Sequence, residues 1–72
     1  MEFDFSKLQG RIVEIYGTRS AFAAALGMAD SALSNRLNSK IYFDPDEIMA
    51  TLPLLRLDPA DIPAYFFTPK VR

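Results

Sequence analysis

The chain has 72 residues, a formal net charge of -1 and neither cysteine nor histidine. A chain this short supports one domain around one core, spanning residues 1–72, and the missing side chains close the disulfide and common zinc routes to extra stability. With no histidine, no cysteine and no glycine-rich phosphate loop, the chain is expected not to be an enzyme, to need no cofactor and to hold no metal. The opening Met1-Glu2-Phe3-Asp4-Phe5 lacks the basic flank and apolar run of a signal peptide, and no stretch is long enough to span a bilayer, so a cytoplasmic location is expected.

Charge is unevenly spread. Residues 7–40 carry Lys7, Arg11, Arg19, Arg36 and Lys40 against Glu14 and Asp30, a net +3, whereas the first six residues and residues 41–72 each carry a net -2. A basic half in an acidic chain is a hint of a nucleic-acid face, although the overall balance points the other way.

The predicted elements are helices. Asp4 or Ser6 can cap a first helix in which Leu8, Ile12 and Ile15 share a face, and Gly17 ends it. Gly10 inside that helix costs roughly 1 kcal/mol against alanine, which predicts a close neighbour there. Thr18 caps a second helix, Arg19 to Leu26, and Gly27 supplies the left-handed position that terminates it. A third helix runs from about Asp30 to Asn38 with Leu33 and Leu37 buried, so the second and third are joined by a very short turn.

Ile41-Tyr42-Phe43 is β-prone and is either a short extended segment or an aromatic loop on the core. Asp44-Pro45-Asp46-Glu47 is a strong helix start, which explains its acids better than a cation site does. Ile48, Leu52 and Leu55 mark the buried face of a fourth helix, and their spacing continuing past Pro53 favours a kink there over an end near Thr51. Asp58-Pro59 opens a fifth, very short helix limited by Pro63, followed by an extended, apolar tail over 63–72. The expected fold is therefore all-α, five short helices plus that tail.

The informative segment is 18–38. Ala23, four residues before Gly27, is small where two helices joined by a tight turn must approach, and the outward face of the third helix is left with Asp30, Ser31, Ser34 and Asn35. Short hydrogen-bonding side chains on such a face suit base edges in a major groove. The pattern Ala23, Gly27, Leu33 resembles the helix-turn-helix of the Cro and lambda-repressor-like superfamily. The opening FDFSKLQGRIVE and ending IPAYFFTPK resemble short Cro-like regulators of phages and prophages.

The resemblance implies a transcription regulator, a repressor in the family's usual role, that binds a double-stranded DNA operator as a homodimer. Asp30, Ser31, Ser34 and Asn35 would face bases, and Arg19, Arg36, Asn38 and Lys40 would meet phosphates. Ala29 departs from the pattern where serine usually caps the recognition helix, and Asp30 places a negative charge there, either to accept from cytosine or to offset the missing cap. Tyr65, Phe66 and Phe67 are too many consecutive aromatics for one face of a small monomer and are assigned to dimerisation, with at least one of them expected against the first or fourth helix of its own chain and another against a second subunit. The alternative is a protein-interaction module on the same fold, such as an antirepressor or antitoxin-like partner.

Overall fold

The structure, a computed structural model, describes residues 2–71. It is all-helical: α1 Ser6–Tyr16, α2 Arg19–Leu26, α3 Asp30–Leu37, α4 Pro45–Leu54 and α5 Ile62–Phe66, with a 3-10 turn Pro59–Asp61 leading into α5. Leu8 and Ile12 of α1, Phe22 and Ala23 of α2, Leu33 and Leu37 of α3, and Leu52 of α4 are buried together. Full burial of each large aliphatic or aromatic side chain stabilises the fold by roughly 1.5–3 kcal/mol. Ala23 is completely buried, as expected of the small residue between α2 and its neighbours.

Helix starts follow the capping chemistry. Thr18 Oγ1 accepts from the Ala21 amide at 3.1 Å. Asp44 and Glu47 form a reciprocal capping box ahead of α4. For α1 the residue before the helix is Phe5, and Asp4 serves from one position further back, its carboxylate accepting from the Ser6 amide at 2.8 Å.

Three helix ends share one device. After α2, α3 and α4 a residue with positive φ reverses the chain, and the next amide bonds back into the helix: Met28 to Ala23, Lys40 to Asn35 and Leu57 to Leu52. Gly27 fills this position after α2, as predicted, whereas Ser39 (φ 61°) and Arg56 (φ 56°) fill it after α3 and α4. Left-handed backbone disfavours residues other than glycine. At Ser39 the hydroxyl offsets this by accepting from the Phe3 amide at 3.2 Å.

Several expectations are corrected. A Cβ at Gly10 would meet nothing within 4 Å, so no close neighbour explains that glycine. Gly10→Ala is therefore expected to raise stability by about 1 kcal/mol, a gain of several degrees in a thermal melt. The expectation that α4 continues past Thr51 is met: the helix passes through Pro53 and ends at Leu54, so the proline removes one backbone bond, to the carbonyl one turn back, just before that end. Pro63 lies in the first turn of α5 and starts that helix instead of limiting the one before it. Helical backbone to Phe66 thus replaces the first part of the expected extended tail.

Beyond Phe67 the chain does run extended. Phe3 and Pro69 form an isolated antiparallel bridge, and the Asp4 amide donates to the Thr68 carbonyl at 2.8 Å. Residues 41–43 form no strand; Phe43 packs edge-on against Phe5 and Phe66. Among the described residues, no helix is long and apolar enough to cross a membrane.

Candidate functional site

The short turn between α2 and α3 brings the N-terminal ends of both helices to one open cleft. Arg19 and Ser20 contribute from α2, Asp30, Ser31 and Ser34 from α3, and Leu33 forms the floor. Four of the residues assigned to this face by sequence (Arg19, Asp30, Ser31 and Ser34) therefore stand together. Asn35 is half-buried on the same helix, and its carbonyl accepts from the Lys40 amide at 2.9 Å. The positive φ of Ser39 thus sets where Lys40 leaves the end of α3. Asn38 follows α3 directly, and its side-chain amide lies 3.4 Å from Ser34 Oγ.

Ser20 is the member sequence reasoning missed. Its hydroxyl donates to Asp30 Oδ2 at 2.7 Å, tying α2 to the start of α3 and fixing the exposed carboxylate. A contact between residues ten positions apart leaves no periodic signal, so only the packed turn reveals it. Asp30 is thereby engaged with α2, and Ala29, the residue before α3, offers that helix no side-chain cap. Ala29→Ser is expected to stabilise the chain by about 1 kcal/mol. An unchanged midpoint in denaturant would show that the first amides of α3 are already satisfied.

Arg36 is corrected. Its guanidinium makes a two-pronged ion pair with Glu47, Nε to Oε1 at 2.8 Å and Nη2 to Oε2 at 2.9 Å, and also donates to the Ala32 carbonyl. Both side chains are only 17% exposed. Arg36 therefore holds α3 to the start of α4 and is not free for a phosphate. The hydrogen-bonded guanidinium holds the Glu47 carboxyl below its usual pKa of about 4.5, against the opposing effect of burial. Glu47 in turn keeps Arg36 firmly protonated.

The assigned association residues separate. Phe66 is 2% exposed and belongs to the core, so it has no surface to offer a second subunit. Tyr65 is half-buried with Lys7 Nζ 4.9 Å from its ring centre, and Phe67 packs edge-on against Phe3 while remaining 48% exposed. One helical turn and its exit accommodate three aromatics because they leave in different directions. Among the described residues, no group of three or more carboxylates is arranged to hold a metal ion.

A small all-helical domain with a polar cleft between two helix starts is the class these observations define. The chain belongs to the DUF739 family, described as a protein family of unknown function, which matches residues 1–69. It is similar to the modulator of repression (MOR) of the temperate bacteriophage TP901-1 from Lactococcus lactis. That solution structure is 43% identical, with a TM-score of 0.83 over 100% of this chain and 97% of the other. No curated protein matches the chain.

Proposed function

We propose that this chain is a phage-type regulator that modulates transcriptional repression, and that the exposed face of α3 with Arg19 is its working surface. The observation that carries this is the likeness to a modulator of repression over the full chain, joined to a polar cleft where a helix-turn-helix protein would present its recognition helix.

Of the two partners such a face can meet, charge favours a DNA-binding repressor protein over bare operator. Duplex DNA carries a negative charge about every 1.7 Å, and affinity comes mainly from neutralising it. With Arg36 engaged by Glu47, the face offers Arg19 and Lys40 against the fixed carboxylate of Asp30. A repressor's own DNA-reading surface is basic and supplies the cations that Asp30 and the short polar side chains lack. Operator DNA is the second reading, favoured by Ser31, Ser34 and Asn35, which have the size and chemistry to read bases.

Fluorescence anisotropy separates the two, titrating the labelled chain with the repressor of the phage that encodes it and, in parallel, with that phage's operator duplex. The expected result is a saturable complex with the repressor. Duplex binding should be weak, with a logarithmic salt slope of about -2 for two free cations. Tight, sequence-selective duplex binding with a slope near -5, the figure for about six phosphate contacts made by a dimer, and no repressor complex would overturn the first reading in favour of the second.

A further inference from the structure

Arg36 stands where α3 would turn a cation towards phosphate, and one carboxylate takes that cation out of use. At about 3.6 residues per turn, Leu33 and Leu37 mark the inner side of α3 and Ser31 and Asn35 its outer side, with Asp30 and Ser34 on one flank and Ala32 and Arg36 on the other. An α-helix with its side chains is about 10–12 Å across and nearly fills a major groove about 12 Å wide. Its outer side then meets base edges, and each flank meets a wall of phosphates. Arg19 borders the flank of Asp30 and Ser34. Arg36 is the cation of the opposite flank.

Glu47 holds that cation from a place fixed by α4. Its amide donates to Asp44 Oδ1 at 2.8 Å, its Oε1 accepts from the Asp44 amide at 3.0 Å, and its carbonyl accepts at 2.8 Å from the hydroxyl of Thr51, which is completely buried. The carboxylate is thus anchored by its own helix, and Arg36 is drawn to it. Exposed single-point ion pairs open readily, whereas this one is sheltered, two-pronged and reinforced by the Ala32 carbonyl. A phosphate that took Arg36 would leave the Glu47 carboxylate sheltered, charged and without its partner beside a polyanion. Asp46, one residue earlier in the same first turn, is exposed and takes no part in the pair.

We infer that Glu47 sets the specificity of the α3 face against nucleic acid: by holding Arg36 on the fold it leaves one phosphate flank without a cation, and its removal alone gives the chain a third cation for duplex DNA. The inference rests on the reading of that face as a surface for a basic protein, and it names the residue that turns DNA away.

The test titrates a short labelled duplex of arbitrary sequence with the full chain, with Glu47→Ala and with Asp46→Ala, following fluorescence anisotropy over a range of salt. Each phosphate neutralised contributes about -0.9 to the logarithmic salt slope, so Glu47→Ala should steepen it from about -2 to about -3 and tighten binding on the order of tenfold at about 50 mM salt. Asp46→Ala removes the same charge from the same turn without releasing a cation, and its slope should stay at that of the parent. Arg36→Met combined with Glu47→Leu should also keep the parent's slope, because the pair is gone but no cation is gained. Circular dichroism at the assay temperature checks that each variant is folded. If Glu47→Ala is not, Glu47→Gln, which keeps an acceptor for the Asp44 amide, takes its place with Asp46→Asn as its match. Equal changes in the two single variants, no change in either, or a gain that persists without Arg36 would each overturn the inference while leaving the proposed function in place. A parent that already binds the duplex with a slope near -5, the figure for about six phosphate contacts, would overturn both.

Discussion

Phe66→Ala is expected to lower the unfolding free energy by about 3–5 kcal/mol, the usual loss when a buried aromatic is truncated to alanine and its cavity only partly collapses. The ring is almost completely buried and meets Phe43 at 5.2 Å between centres, and Phe43 continues the stack to Phe5 beside α1. Typical stabilities of roughly 0.05–0.15 kcal/mol per residue imply about 4–11 kcal/mol for a chain of this length. One side chain near the C-terminal end thus accounts for a large fraction of the total. Truncation after Pro63 removes Phe66 together with the Thr68 carbonyl that pairs with Asp4, and it should unfold the chain at physiological temperature. Thermal melts by circular dichroism check both changes. Midpoints within a few degrees of the parent would show that α5 is an appendage to a core complete without it.

Breaking the Arg36–Glu47 pair is expected to have the next largest effect. Arg36→Ala leaves a mostly covered carboxylate without its partner, and Glu47→Ala leaves the guanidinium so. A fully buried pair broken in this way loses about 3–5 kcal/mol, so about 2–3 kcal/mol is expected at this partly covered one. Combining Arg36→Met with Glu47→Leu should lose less than either alanine change alone, because no charge is stranded. Glu47 also predicts a pH dependence. Its pKa is depressed in the folded chain, so its contribution is present above the ordinary carboxylate value and is lost as the pH falls through the lower folded value. Denaturant midpoints of the parent should therefore decline below about pH 4.5 more steeply than those of Glu47→Gln.

Helices, caps and most of the core could be read from the sequence because each rests on local chemistry. Thr18, Gly27 and the Asp44–Glu47 box act within one turn, and the spacing of Leu8 with Ile12 or Leu33 with Leu37 marks a buried face directly. What could not be read depends on contacts between distant segments. Ser39 adopts a left-handed conformation, and the amide of Phe3, far away in the chain, bonds to its hydroxyl there. Arg36 resembles any surface cation in the sequence, and only the packing of α3 against the start of α4 brings Glu47 to it. Gly10 is the opposite case: a residue type that usually signals close approach, with open space beside it. At the candidate site, Asp30, Ser31 and Ser34 are legible from the outward face of α3, and Arg19 through the resemblance to the helix-turn-helix family. Ser20 is not.

The central proposal, that the α3 face modulates repression by meeting a basic protein surface, is tested most directly by Asp30→Arg. Asp30 is exposed, and losing its bond to Ser20 and its favourable charge in the first turn of α3 should cost about 1–2 kcal/mol, so the variant should melt somewhat lower but still fold. The measurement is the output of an operator-controlled reporter in cells that carry the repressor, with the parent chain or the variant supplied at equal level. A carboxylate that pairs with repressor cations cannot be replaced by a cation without repulsion, so the variant should lose about tenfold or more in effective affinity, equivalent to about 1.4 kcal/mol. Its effect on the reporter should fall accordingly. If Asp30→Arg instead strengthened the effect, the face would be meeting phosphates, and the proposal that its partner is a protein would be contradicted.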